Sequence, residues 1–288
     1  RIQERSAVRI DFKPQAATVR RRMRPADKVF VILMVLALLA VLSPLIALFE
    51  RAVSTAGGYS LTHFASIFSN DRGSYFYLSP LTIIWNSLRF ALATVAISLV
   101  VGGIVAYFLS RRGRRGMSAL DALFMLPLGV SAVMLGFGFL IALNRPPIDL
   151  RGSWIILVIA HSLVAYPFVI RSLLPVLRGI PPNLREAAAV MGASPARVFF
   201  AIDLPIIARA LLVGGTFAFA VSMGEFGASL LLVRPEFTTM PVAIFRFLGL
   251  PGAANLGKAL AMSSLLMVVV ALGFVAIERF RYKSVGAF

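Results

Sequence analysis

Residues Val29–Phe49 read VFVILMVLALLAVLSPLIALF, a predominantly apolar run without one ionisable side chain. At about 1.5 Å of helical rise per residue, this run reaches across the roughly 30 Å hydrocarbon core of a bilayer. The basic cluster before it (Arg20, Arg21, Arg22, Arg24) imitates the start of a secretory signal. The apolar run, however, exceeds the roughly 7–15 residues of a signal core, so it reads as a retained first span. Working outward, five further segments repeat the pattern: Trp85–Leu109, Leu120–Leu143, Trp154–Val176, Ala210–Val233 and Ala259–Ile277. None alternates apolar with polar residues as a strand would, and a helix satisfies its own backbone hydrogen bonds in lipid. The reading is an all-α membrane protein of six transmembrane helices.

Composition agrees. The chain of 288 residues is 59% hydrophobic with a mean hydropathy of +0.88, outside the range of a soluble domain. A net charge of +17 would ordinarily raise nucleic acid as a partner. The basic residues instead alternate connection by connection. The N-terminal segment, the loop after the second span, the loop after the fourth and the C-terminus hold 21 of the 29 Lys and Arg. The opposite connections hold eight, counting Arg89 and Lys258 at span edges. That asymmetry predicts both termini in the cytoplasm and accounts for the charge without nucleic acid. Tyr59, Tyr75, Tyr77, Trp85 and Trp154 fall where an outer interfacial aromatic belt belongs. Residues 50–83 form the longest outer connection, read either as packing on a soluble partner or as a passive loop. The absence of cysteine excludes disulfides, thiolate metal sites and cysteine nucleophiles. No metal site is expected elsewhere.

The connection after the fourth span carries the function. Residues 179–206 read GIPPNLREAAAVMGASPARVFFAIDLPI. Pro181-Pro182 stops the preceding helix. Asn183 is the expected N-cap, with Glu186 three residues later in the capping-box position. A short helix Leu184–Met191 then ends at Gly192, which suits a left-handed turn. Ser194-Pro195 supplies the N-cap and first residue of a second short helix, expected to end at Leu204-Pro205. Two short amphipathic helices angled at a glycine form a knob, suited either to a groove on another protein or to lipid headgroups.

Glu186, Ala187, Ala188, Gly192, Ile202, Leu204 and Pro205 fill every position of E-A-A-x3-G-x9-I-x-L-P. With this pattern placed before the penultimate span, the chain resembles the binding-protein-dependent ABC importer permeases of the MetI-like fold. The resemblance covers roughly residues 29–280, a six-span permease domain whose coupling loop is 179–206. It implies that the loop is a coupling helix seated in a cytoplasmic ATPase, with Glu186 making polar contacts and Ala187 and Ala188 allowing close approach. It also implies a dimer of ATP-binding cassette subunits holding ATP and Mg, a second permease half and a periplasmic or extracellular substrate-binding protein. The location is then a bacterial or archaeal plasma membrane, the mechanism alternating access, and the chain itself no enzyme and binder of no cofactor. Gly224-Glu225-Phe226-Gly227-Ala228-Ser229 and Arg234–Pro241 look like the ferric iron and thiamine branch, whose members often fuse two halves, although sulfate and molybdate permeases are similar around Gly224–Gly227. Residues 1–28 would then be a basic cytoplasmic segment or inter-half linker, and 281–288 a cytoplasmic tail.

Glu225 is the acid expected inside an apolar span, where an uncompensated charge costs about 2.5–3.5 kcal/mol. It reads either as a structural polar anchor, with Gly224 and Phe226, or as part of the pathway. His161 reads as a hydrogen-bonded packing residue, Arg171 as snorkelling to the interface and Pro167 as a kink. Gly102-Gly103, Gly136 with Gly138, and Gly214-Gly215 mark close helix contacts. Gly252–Ala259 nearly matches a phosphate loop, but Ala259 lacks the hydroxyl for Mg and no strand precedes it. A gradient-driven secondary transporter or channel is the alternative class, and it would favour several intramembrane charges.

Overall fold

The computed structural model describes residues 25–55, 57–68, 78–110, 117–145, 148–150 and 152–283. Most of the expected segment 1–28, part of the tail 281–288, Tyr75, Tyr77 and the arginine cluster 111–115 lie outside these residues. Twelve α-helices follow one another along the described chain. The only strands among the described residues are two antiparallel ladders of two residues per strand: β1 (Ser54–Thr55) with β2 (Gly58–Tyr59), and β3 (Asn144–Arg145) with β4 (Ile148–Asp149). The all-α reading holds. Five helices are long and apolar enough to cross a membrane, or six when one bent pair counts as a span.

The chain divides into residues up to Ala47 and a bundle from Leu48 onward. Helix α1 (Pro25–Val53) contains the opening run, and most of the large apolar side chains of that run are exposed, including Phe30 at 68% and Val41 at 72%. Such a surface is stable in lipid, because a helix leaves no backbone group unsatisfied there.

The bundle core is α3 (Pro80–Ser110), α6 (Ile155–Gly179) and α9 (Leu204–Gly224). Sequence dictates their closeness through small residues at the crossings. A Cβ on Gly102 would stand 2.8 Å from the Val169 Cβ, and one on Gly214 would stand 3.1 Å from the Val169 Cα. In lipid, where apolar side chains gain little by meeting each other, such close approach is what makes helices associate. One glycine of each expected pair does this work most directly. Gly103 and Gly138 have open space where a Cβ would go. Val169, Ile170, Leu173 and Leu177 of α6 are buried in this core with Ala106, Leu109, Ala210 and Ala218. A second cluster joins α2 (Thr62–Phe68), α11 (Met240–Leu248) and α12 (Ala253–Lys283) to α3 and α9 through Ile67, Met240, Phe247 and Met262. Within residues 50–83, the α2 segment is folded against α12 of its own chain.

Two expected spans are corrected. Leu120–Leu143 is not one straight helix: α4 (Met117–Gly129) and α5 (Ala132–Ala142) meet at 98°. Gly129 and an extended Ser131 (ψ 133°) break the helix between them. The fifth span is shifted. It runs from Pro195 to Gly224 and stops there, so Ala210–Val233 joined two helices across a break. The apolar residues after Phe226 belong to α10 (Gly227–Leu232), which packs on α5 where a Cβ on Gly136 would stand 2.9 Å from the Ala228 Cα.

Candidate functional site: the α7–α9 connection

The C-terminal ends of α3 and α6 and the start of α9 meet at one end of the bundle. There Tyr107 and Phe199 pack edge to face at 5.8 Å, and an Arg178 Nη2 reaches the Leu109 carbonyl. The connection begins with α7 (Pro182–Val190). Its N-cap is Pro181, extended at ψ 132°, with Pro182 at the first helical position. No side chain caps it, so the expected Asn183–Glu186 capping box does not form. The physical reason is that Pro182 brings its fixed φ and lacks an N–H. It starts the helix two residues early and places Asn183 inside the first turn.

Gly192 closes α7 with φ +81°, a left-handed conformation that a Cβ would strain. The Ala193 N–H then donates to the Ala188 carbonyl at 3.0 Å and the Gly192 N–H to that of Ala189 at 2.9 Å. Ser194 caps α8 (Pro195–Val198) as expected, its Oγ accepting from the Arg197 N–H at 3.3 Å. Leu204-Pro205 does not end this second helix. A π-turn over Phe199–Asp203, closed by the Leu204 N–H on the Phe199 carbonyl, carries it straight into α9. The wider turn accommodates Pro205, which has no N–H and whose ring would clash with the carbonyl four residues back in a regular α-helix. The second short helix and the fifth span are thus one rod.

The signature residues divide by role. Glu186 and Ala187 are exposed, whereas Ala188 is 7% exposed and packs into its own chain. Its small side chain serves the chain's own packing. Ile202 and Leu204 are half-buried and Pro205 is exposed. The same connection holds large apolar side chains in the open: Val190 at 88%, Met191 at 81%, Phe200 at 65% and Leu184 at 45% exposure.

Arg185 and Asp203 are the residues that pattern-matching missed. Arg185 Nε donates to Asp203 Oδ1 at 2.8 Å, and the Asp203 side chain is 1% exposed. The available signal was a lone acid at the foot of an apolar helix, which requires a partner.

At the opposite end, Glu225 follows the last turn of α9 in extended conformation (ψ 107°). It is 8% exposed, and its Oε1 accepts from the Ala228 N–H at 3.0 Å, capping α10. Glu225 therefore sits in the break between two helices rather than within a span. Gly224 is exposed there, and Phe226 lies tilted on Phe245 at 5.1 Å. His161 is fully hydrogen-bonded, Nδ1 to the Ser222 hydroxyl at 2.9 Å and Nε2 to that of Ser229 at 2.8 Å. It pins α6 to both helices flanking the break. Asn86 Nδ2 donates to the Glu236 carbonyl, and the Met240 N–H donates to Ser87 Oγ, fixing loop 235–239 on α3. Arg89 lies over the Phe90 ring at 4.8 Å and the Phe237 ring at 5.7 Å. Arg171 is exposed, and α6 runs unbroken through Pro167. The phosphate-loop look-alike at 252–259 is the start of α12, following a helix rather than a strand.

The family model for the inner membrane component of binding-protein-dependent transport systems matches residues 98–282, which includes the whole α7–α9 connection. A molybdenum transport system permease protein, ModB, of Haemophilus influenzae is 32% identical over 200 residues, 65% of this chain and 87% of the relative. A putative 2-aminoethylphosphonate transport system permease protein, PhnV, of Salmonella typhimurium is 27% identical over 222 residues, 77% of this chain and 80% of the relative. Among solved structures, a bacterial alginate ABC transporter in complex with its alginate pentasaccharide-bound periplasmic protein superposes with a TM-score of 0.66 at 20% identity. That match covers 89% of this chain and 93% of the other, and it shows a common fold. The chain belongs to the inner membrane components of binding-protein-dependent transport systems, as a multi-pass permease of the ABC importers.

Proposed function

We propose that this permease is driven through the α7–α8 knob by a cytoplasmic ATPase dimer that binds ATP and Mg, and that its cargo is a small oxyanion. The exposed apolar rim of Leu184, Val190, Met191 and Phe200, on the connection that holds Glu186, carries the first half of this reading. A rigid apolar knob with one acid matches the anatomy of a docking patch, an apolar centre with a polar contact beside it. Glu186, Ala187, Gly192, Ile202, Leu204 and Pro205 build that knob, and hydrolysis takes place on the partner. A second permease half completes the pathway.

The cargo reading replaces the ferric iron or thiamine expectation. The relatives are named for molybdenum and for 2-aminoethylphosphonate, and both cargoes are oxyanions in neutral water. Arg89, Arg234 and Arg246 lie around the 235–239 loop at the end opposite the knob, three basic residues beside the one acid of that loop, Glu236. Two measurements test the proposal. Val190→Asp/Met191→Asp is expected to abolish co-purification of the ATPase, and retention at wild-type yield sinks the docking assignment. Proteoliposomes holding the complete transporter and its binding protein should accumulate molybdate or 2-aminoethylphosphonate with ATP. Uptake of ferric ion or thiamine alone would restore the other cargo.

A further inference from the structure

The Arg185–Asp203 pair joins the two arms of the knob across the Gly192 turn. Arg185 projects from α7, the arm that carries Glu186 and most of the exposed rim. Asp203 sits in the π-turn, on the rod that continues without interruption into α9. Backbone links between the arms are confined to the turn itself, where the Ala193 N–H meets the Ala188 carbonyl. A knob hinged at one left-handed glycine would otherwise bend when pushed. The ion pair lies about two helical turns from that hinge on α7 and about three on the rod, far enough out for a short link to resist bending.

Burial makes the link stiff. The Asp203 side chain is 1% exposed and that of Arg185 is 32% exposed, so the pair is largely shielded from water. Asp203 Oδ2 and Arg185 Nη2 are buried and have no hydrogen-bond partner. The Asp203 carboxylate therefore depends on the single 2.8 Å contact, and parting the pair leaves its charge unpaired and out of water.

We propose that Arg185 and Asp203 are positioning residues that form a strut, making α7 and the α9 rod move as one body, so that displacement of the knob is delivered to the fifth span. The inference rests on the reading of the knob as the ATPase contact. The strut does not touch the ATPase; it acts through Glu186 and the apolar rim.

The chain contains no cysteine, which permits a test by replacement of the strut. In the complete transporter, with partner cysteines removed, Arg185→Cys/Asp203→Cys is prepared and reconstituted with its loaded binding protein. The double variant is expected to retain the ATPase on co-purification but to transport at least tenfold less cargo per ATP hydrolysed. Bridging the two thiols with a short bis-methanethiosulfonate is expected to restore the transport-to-hydrolysis ratio to within about twofold of wild type. Reducing the bridge should abolish it again. A merely structural role would not follow a reversible cross-link in this way. An uncross-linked double variant that couples as wild type overturns the strut, and so does a cross-linked one that stays uncoupled. Failure of the unmodified transporter to retain any ATPase overturns the docking reading instead.

Discussion

Gly102 and Gly103 are adjacent on α3 and have the same intrinsic cost in a helix, yet the structure predicts different outcomes when each becomes alanine. A Cβ on Gly102 would lie 2.8 Å from the Val169 Cβ, 2.9 Å from its Cγ1 and 3.0 Å from the Tyr166 carbonyl oxygen. Carbon atoms prefer about 3.5–4.0 Å, so Gly102→Ala requires α3 and α6 to part by several tenths of an ångström. Val169 is fully buried, and a Cβ on Gly214 of α9 would also press on it, so it has nowhere to retreat. Overpacking of this kind costs about 1–3 kcal/mol. Gly103 has nothing within 4 Å, and Gly103→Ala gains the roughly 1 kcal/mol that separates alanine from glycine in a helix. The propensity gain is common to both variants, so they should differ by the overpacking cost of about 1–3 kcal/mol. Thermal aggregation midpoints of the detergent-solubilised chain, followed by size-exclusion fluorescence, would place Gly102→Ala at or below wild type and Gly103→Ala above it. Equal midpoints would refute the claim that α3 and α6 meet at Gly102.

Two further predictions concern the break after α9. His161→Phe leaves the Ser222 and Ser229 hydroxyls without their partner. At about 0.6 kcal/mol and at most about 1.7 for each interhelical bond in a membrane, it should destabilise the bundle by about 1–3 kcal/mol. A double-mutant cycle with Ser222→Ala checks this, since a zero coupling term means the bond contributes nothing. Glu225→Gln retains an oxygen able to accept from the Ala228 N–H, so both assembly and cargo-stimulated ATP hydrolysis should stay near wild type. Loss of stimulation with assembly intact would make the charge itself part of the pathway.

Much of the fold was legible because the bilayer imposes one strong rule, that long apolar segments become helices. The runs beginning at Val29, Trp85, Trp154 and Ala259 all lie within single helices. The rule says nothing about where a helix stops when the next one is equally apolar. That is why Gly129–Ser131 and Gly224–Phe226 were read through. Both breaks depend on backbone geometry rather than hydropathy. At Glu225 the acid that looked like a charge inside a span is the group that permits the break, since its carboxylate supplies the acceptor that the freed N–H of α10 needs. The signature loop was legible residue by residue, but its shape was not. Pro182 displaced the capping box, and the π-turn turned an expected helix end at Pro205 into a continuation.

That continuation changes what the loop is. Two short helices ending at Pro205 would hang from the fifth span by a joint, and a push on the knob would be absorbed there. In the structure the joint between α7 and the fifth span is Gly192, and the rod beyond it runs from Pro195 to Gly224. At about 1.5 Å per residue the rod is about 45 Å long, more than the hydrocarbon thickness, so a tilt at its foot displaces its far end. The far end is where Ser222 holds His161 and where Glu225 begins the break that carries α10. A rigid rod fixed at its foot by Arg185–Asp203 and tied at its head to α6 through His161 links the two ends of the bundle through named bonds. Both ties are side-chain hydrogen bonds. Without Arg185–Asp203 the knob is held to the rod by the Gly192 turn alone, whereas without His161 the rod keeps its packing on α6 through Gly214 and Val169 but loses the tie at its head.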